Sequence, residues 1–377
     1  MYLLSRATRL LIGLVLALPL WAAETATPTL DQFRDGAKHY RDGTQDTAYE
    51  RWPEDNIAAI ADNMLLYQHA NGGWKSNWDP QRVVSAEEAA EIAAGLKEMD
   101  TTFDNRATYP QIEYLAAAHA ATGDARYRDA VLRGLEFMLA AQHACGGFPH
   151  SYPSKANYRP LITFMDEVTA GALTTLRAAA AGEGGFAFLD AALRERLAEA
   201  SSRGLACVLA LQQPWDGAPG AWAGQYDPET LKPAQARTFE QPSFVSAESL
   251  GVLSYLMAFE DPSPEIMRAI EGAARWYQAA AIHGYRVERF NIEPVRFDNH
   301  TATSDVRLVA DPEAPPLWAR FYELDTLRPF MANRDGVKVY TLEEVHIERR
   351  TGYNWYGPYA TAFLEHELPA WRKRVAE

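Results

Sequence analysis

Two aspartates occupy comparable places in this chain. Asp104 lies in Thr102-Phe103-Asp104-Asn105, just ahead of a helix expected at 109–121. Asp166 lies in Thr163-Phe164-Met165-Asp166, just ahead of a helix expected at about 167–181. Either acid alone suits a helix cap, satisfying orphan amides and the helix dipole. Brought together with Asn105, they would make an all-oxygen site for a hard cation such as calcium. A third reading makes them the acid and base of a glycosidase.

Arginines collect in the later part of the chain. Arg237 lies in Ala236-Arg237-Thr238-Phe239-Glu240, Arg320 in Trp318-Ala319-Arg320-Phe321-Tyr322, Arg334 before Asp335-Gly336, and Arg349 and Arg350 before Thr351-Gly352. Each taken singly is explained by pairing with a nearby acid such as Glu240, Glu323 or Asp335. As a set beside aromatics in loops, their planar forks suit carboxylate or phosphate groups. Trp74, Phe148, Trp222, Tyr353, Trp355 and Tyr356 stand next to glycines; such rings can face a sugar or pack inward. No G-x-S-x-G, P-loop, G-x-G-x-x-G or H-E-x-x-H occurs, and the histidines lack metal-ligand spacing.

What must position these residues is a repeat. Gln68-His69-Ala70-Asn71-Gly72-Gly73-Trp74 returns as Gln142-His143-Ala144-Cys145-Gly146-Gly147-Phe148. A weaker copy follows in Gln212-Gln213-Pro214 with Gly220-Ala221-Trp222. Each closes an apolar pattern of helical period, so the repeat predicts stacked helical hairpins with their Gly-Gly-aromatic exits on one face. His69 and His143 share a repeat position, which points to architecture. Helix starts are expected at Pro53-Glu54, at the capping box of Ser85 and Glu88 (helix 86–99), and at Ser263-Pro264-Glu265. Beyond about residue 284 the pattern changes to short strands or extended loops, for example at 285–297, before a last helix at about 358–374.

Residues 1–23 resemble a secretory leader: Arg6 and Arg9, then an apolar run at 10–21, then Ala22 and Ala23. The rest, 24–377, reads as a single domain. The protein is expected to be periplasmic or secreted, monomeric and not inserted in a membrane once the leader is removed. A net charge of −14 argues against nucleic acid as partner. Cys145 and Cys207 each adjoin an apolar helical run and are expected as buried free thiols, although an oxidising compartment would allow them to pair.

Several of these phrases, in order across residues 50–357, resemble those of family 10 pectate lyases. They are Gly72-Gly73-Trp74, Thr102-Phe103-Asp104-Asn105-Arg106-Ala107-Thr108, Ile162-Thr163-Phe164-Met165-Asp166, Ala236-Arg237-Thr238-Phe239-Glu240, Trp318-Ala319-Arg320-Phe321-Tyr322 and Glu348-Arg349-Arg350-Thr351-Gly352-Tyr353. The resemblance implies an all-α (α/α) toroid of helical hairpins with a loop-rich C-terminal third containing short strands. It implies cleavage of polygalacturonate by calcium-assisted anti β-elimination. By that resemblance Arg237 is the Brønsted base, Asp104 and Asn105 stand at the calcium and substrate centre, and Asp166 is a calcium ligand. Arg320 and Arg334 hold uronate carboxylates, and Trp74 is expected to touch substrate.

The chain departs from the resemblance at Arg106, where a glycine is usual, and at Met165 and Glu167, where amides flank the acid. Arg106 is therefore expected as an added carboxylate contact and Glu167 as an added metal ligand. Neighbouring cations and burial should depress the base's pKa. Two other readings stand beside this one: a uronate-polymer hydrolase using Asp104 and Asp166, and a catalytically degenerate acidic-glycan binding protein.

Overall fold

The computed structural model describes residues 28–44, 48–96, 99–298 and 300–377. The leader expected at 1–23 lies outside them. Helices dominate: α1 (Arg34–Thr44), α2 (Ile57–Tyr67), α3 (Ala86–Gly95), α4 (Tyr109–Thr122), α5 (Ala125–Ala141), α6 (Val168–Ala181), α7 (Ala191–Leu211), α8 (Glu248–Met257), α9 (Pro264–Ala280), α10 (Ile347–Gly352) and α11 (Leu368–Ala376). The pairs α4–α5, α6–α7 and α8–α9 pack as hairpins. Along one row α2 touches α4, α4 touches α6 and α6 touches α8. The main core runs through this stack, and a smaller one around Phe321, Phe330 and Trp355 underlies the C-terminal loops.

The repeated phrase has a mechanical role. Gln68, Gln142 and Gln212 cap the C-termini of α2, α5 and α7. Each side-chain amide donates twice, once to its own loop and once to a helix of the following hairpin. Gln68 donates to the carbonyls of Gly72 (3.0 Å) and Ala130 (2.9 Å). Gln142 donates to Gly146 and Ala200 (both 2.8 Å), and Gln212 to Gly220 (2.7 Å) and Ala269 (2.9 Å). Glycine is required beside the clip. At Gly72 (φ 94°) a Cβ would lie 2.2 Å from the Arg133 carbonyl oxygen, and at Gly146 (φ 113°) 2.4 Å from that of Arg203.

The aromatic that follows then turns inward. Trp74, Phe148 and Trp222 are fully buried. The indoles of Trp74 and Trp222 donate to the carbonyls of Met64 and Val208. Trp74 is thus core and not a substrate contact: the clip that holds its loop also aims its ring into the stack.

A fourth copy is present that the glutamine phrase does not announce. Trp222-Ala223-Gly224-Gln225-Tyr226 recurs as Trp318-Ala319-Arg320-Phe321-Tyr322. Both tyrosine hydroxyls accept from the alanine amide of their own copy, and they donate to Leu211 (2.7 Å) and Ala280 (2.8 Å) at the ends of α7 and α9. Between α9 and this fourth copy stands a long antiparallel hairpin, Tyr285–Arg296 against Thr301–Ala310, where short strands were expected.

Other expectations shift modestly. The capping box of Ser85 and Glu88 is present, and its helix spans Ala86–Gly95. Pro53 and Glu54 lie ahead of α2, which begins after Asn56, whose side chain accepts from the Ala59 amide. The last helix is a π-turn, Phe363–Glu367, running into α11. Cys145 and Cys207 form a disulfide with Cα atoms 5.3 Å apart, not two free thiols. The repeat explains it: Gly146 sits against Arg203 and Gly204 of α7, and Cys207 is one turn further along that helix.

Gly72→Ala should destabilise the fold by about 2–3 kcal/mol, since it combines a left-handed backbone with a backbone clash. Gly123→Ala, where φ is 74° but the added Cβ meets nothing within 4 Å, should cost about 1 kcal/mol. Urea unfolding of both variants measures the difference, and equal losses would remove the steric part of the argument.

Candidate active site

A cleft of about 850 Å³ opens on the face of the exit loops. Asp104 and Asp166 meet in its floor. Each stands in a loop that enters an inner helix through left-handed backbone: Asn105 (φ 50°), Arg106 (54°) and Thr108 (73°) before α4, and Asp166 (51°) and Glu167 (60°) before α6. A threonine pins each loop. Thr108 Oγ1 donates to the Thr102 carbonyl (2.8 Å) and accepts from the Trp74 amide (3.1 Å). Thr169 Oγ1 does the same for Thr163 (2.7 Å) and Phe148 (3.2 Å). The buried aromatic exits therefore hold the acid loops.

The two carboxyls are close enough for each to perturb the other's ionisation, and both are partly desolvated. Burial and the Asp104 charge push Asp166 up to about 8. Burial opposes ionisation of Asp104 as well, but the hydrogen bond and charge of His150 outweigh it and hold that acid below its usual range. His150 Nε2 lies 3.3 Å from Asp104 Oδ2, and its Nδ1 meets Ser151 Oγ at 2.8 Å.

The arginines converge on the same cleft, but each is held by a glutamate. Glu240 grips Arg237 through Nε (2.8 Å) and Nη2, and also accepts from Tyr353 (3.1 Å). Burial tends to lower the pKa of Arg237, yet the Glu240 bond and charge prevail and raise it. This reverses the expected depression of the base: here a carboxylate lies closer than any cation. Arg320 pairs with Glu248 and stacks on Tyr353, its guanidinium 4.2 Å from the ring centre. Its Nε is buried with no protein partner. Glu348 receives both Arg334 (2.9 and 3.0 Å) and Arg349 (2.7 and 2.8 Å). Burial resists ionisation of Glu348, but the two guanidiniums bring it down to about 2. Phe239 lies under Arg237, Arg334 and Arg349.

Two expected residues have other employment. Arg106 and Glu167 form a bidentate pair (2.7 and 3.1 Å), and burial does not prevent Glu167 from raising the Arg106 pKa. Glu167 thus spends its carboxylate on Arg106 instead of adding a third acid to the Asp104–Asp166 pair. Arg106 is correspondingly committed and does not line the cleft. The two departures compensate each other, tying one acid loop to the other.

Asn105 donates to Asn77 Oδ1 (2.8 Å), so its own carbonyl oxygen stays available at the cleft. Among the described residues no group of three or more His, Cys, Asp or Glu side chains is arranged to hold a metal. The donor set still fits a hard cation, because two crowded half-buried carboxyls with an adjacent amide oxygen are oxygen donors that added positive charge would relieve. His150 was not anticipated, yet a signal existed. It stands two residues after Phe148, as Arg320 stands two after Trp318, and both positions bring a nitrogen-bearing side chain near the paired acids.

Helical hairpins here present paired acids in an arginine-lined cleft, and the comparisons with known proteins make the chain a polysaccharide lyase. The chain belongs to the pectic acid lyase family, whose model matches residues 68–364. A family 10 polysaccharide lyase from Cellvibrio cellulosa is similar in structure, with a TM-score of 0.70 and 28% identity over 92% of this chain and 98% of that one. An aspartate-to-alanine mutant of the family 10 polysaccharide lyase from the same organism, in complex with trigalacturonic acid, gives 0.71 and 28% over 90% and 98%. No curated protein matches the sequence.

The acid pair carries a pH signature. In the folded chain Asp166 keeps its proton to about pH 8, whereas an ordinary aspartate releases it near 3.8. Between these values the folded state holds a proton that the unfolded chain has lost, so stability falls as pH rises and levels off above about 8. Asp166→Asn should remove that slope. In chelator-treated protein, the variant's Tm should exceed the parent's by roughly 3 °C or more at pH 9 and by less at pH 5; parallel Tm curves against pH would contradict the coupling.

Proposed function

We propose that this protein is a calcium-dependent pectate lyase, a single catalytic domain on an (α/α) toroid that cleaves polygalacturonate by anti β-elimination to 4,5-unsaturated products. The observation that carries the reading is the convergence of Asp104, Asp166, Arg237, Arg320 and Arg334 in one cleft. The similar structure that holds trigalacturonic acid supports a uronate polymer as substrate. The Cys145–Cys207 disulfide supports a periplasmic or secreted setting.

Elimination requires removal of the C5 proton of a uronate and departure of the C4 oxygen. A calcium ion held by Asp104, Asp166 and Asn105 would neutralise the adjacent uronate carboxylate and so acidify that proton. Arg320, with its unpartnered buried Nε, is fitted to orient a carboxylate. Arg334 and Arg349 can do likewise by exchanging Glu348 for substrate oxygens. Arg237 is the base in this reading. Glu240 fixes its fork within the cleft but also stabilises its protonated form, so a proton is accepted only by the small neutral fraction. That arrangement favours alkaline working pH.

The hydrolase alternative has less support. Glycosidase carboxyls stand roughly 5–9.5 Å apart, leaving room for a sugar and often a water, whereas Asp104 and Asp166 crowd each other so that burial and the Asp104 charge keep a proton on Asp166.

Incubation with polygalacturonate and calcium should produce the ultraviolet absorbance of an unsaturated uronate, lost on chelation and restored by calcium. Arg237→Ala should reduce kcat by about 10²–10⁴-fold with an unchanged circular dichroism spectrum. New reducing ends without ultraviolet absorbance would replace the lyase reading with hydrolysis, and turnover in thoroughly chelated enzyme would remove the metal from it.

A further inference from the structure

The fourth repeat contains an insertion that the third lacks. In the third repeat the chain passes from the end of α7 to Trp222 through a minimal turn, Pro214–Trp215 paired with Ala218–Pro219. In the fourth, the corresponding passage from the end of α9 to Trp318 contains the Tyr285–Arg296 and Thr301–Ala310 hairpin. Its base is closed by reciprocal hydrogen bonds between Ile282 and Leu317 (2.8 and 2.9 Å). The exit loops face the cleft, so an arm grown from one of them is delivered to the cleft rim.

The arm is anchored. Asp305 accepts from Arg350 at 2.6 and 2.8 Å, and His300 Nε2 meets Thr351 Oγ1 at 2.9 Å. Both contacts join the arm to α10, which also carries Glu348 and Arg349. Arg289 on the arm lines the cleft. It differs electrostatically from the arginines of the centre. Arg237 and Arg320 are each held by a glutamate of their own, and Arg334 and Arg349 share Glu348. Arg289 is exposed and donates to the Ser304 hydroxyl (2.9 Å); the carboxylate nearest in charge, Asp305, is already gripped by Arg350. It therefore offers an anionic chain a guanidinium that, among the described residues, is in no ion pair of its own, so no carboxylate must first be displaced.

We infer that the inserted arm is a distal binding site for polyuronate, in which Arg289 grips a uronate carboxylate away from the Asp104–Asp166 centre and favours long chains over short ones. The inference rests on the substrate class proposed above. The arm adds affinity for polymer without taking part in the elimination.

The test compares Arg289→Ala, Arg289→Glu and Arg289→Lys in the full chain, with polygalacturonate and trigalacturonate as probes. Arg289→Ala should raise KM for the polymer about tenfold, the worth of one charge-assisted hydrogen bond, with kcat within twofold and trigalacturonate kinetics unchanged. Arg289→Glu should be worse and Arg289→Lys near the parent. Unchanged polymer kinetics, or an equal loss on both probes, would overturn the inference. If the parent forms no unsaturated product from either probe, the lyase reading has failed separately. Retardation of the protein in gels containing polygalacturonate then decides the arm's role: weaker retardation of Arg289→Ala supports it, and equal retardation rejects it.

Discussion

The structure depends on a glutamine amide used three times as a clip. Two carbonyls that would otherwise be stranded, one in a loop and one on a neighbouring helix, share one side-chain NH₂. A buried carbonyl left without a donor costs about 1–3 kcal/mol, so each clip fixes both the path of its loop and the stacking of the next hairpin. The glycines beside the first two clips allow the contact to be closer than any side chain permits. From that closeness follow the inward aim of Trp74, Phe148 and Trp222, the threonine pins of the acid loops, and the meeting of Asp104 with Asp166.

The site assembled this way is crowded with charge yet largely neutralised. Its guanidiniums are held by Glu240, Glu248 and Glu348, and one of its two acids keeps a proton. Glutamate pairing lowers the cost of burying arginines in a protein of net negative charge. It also keeps their forks fixed before substrate arrives, so little reorganisation remains when carboxylates bind. The same pairing holds Arg237 protonated. Preorganisation and basicity thus pull against each other at that residue, and a uronate carboxylate competing with Glu240 or Glu348 is one way the balance can move.

Much of this was legible in the sequence because it recurs there. The Gln-x-x-x-Gly-Gly-aromatic phrase announces the hairpins, and the shared Thr-Phe leads of the two acid loops announce that Asp104 and Asp166 occupy comparable places. Less legible were features decided by partners distant in sequence. Whether Trp74 faces sugar or core depends on the Met64 carbonyl; whether Glu167 meets a metal or a cation depends on Arg106, 61 positions away. Cys145 and Cys207 meet only because Gly146 lies against α7. His150 was less legible because the repeated phrase ends at Phe148, two residues before the part of the exit loop that reaches the cleft.

The division between clip and exit explains how this chain can vary without losing its fold. Glutamine, glycine and buried aromatic make contacts inside the stack, where a change of one atom is felt. The second residue after the aromatic differs among copies, Ser76, His150, Gly224 and Arg320, and in two of them, His150 and Arg320, it lines the cleft. The passage between helix end and aromatic is also free to lengthen, because a loop closed at its base by Ile282 and Leu317 adds little entropic cost per added residue. The hairpin between α9 and Trp318 exploits that freedom. The Arg106–Glu167 bridge exploits a related one, since two left-handed loop residues on adjacent acid loops can exchange small or neutral side chains for a charged pair, provided both change together. An unpaired Arg106 would place a cation beside the acid centre, and an unpaired Glu167 a third anion. Their pairing leaves the charge of the Asp104–Asp166 pair nearly undisturbed while binding its two loops to each other.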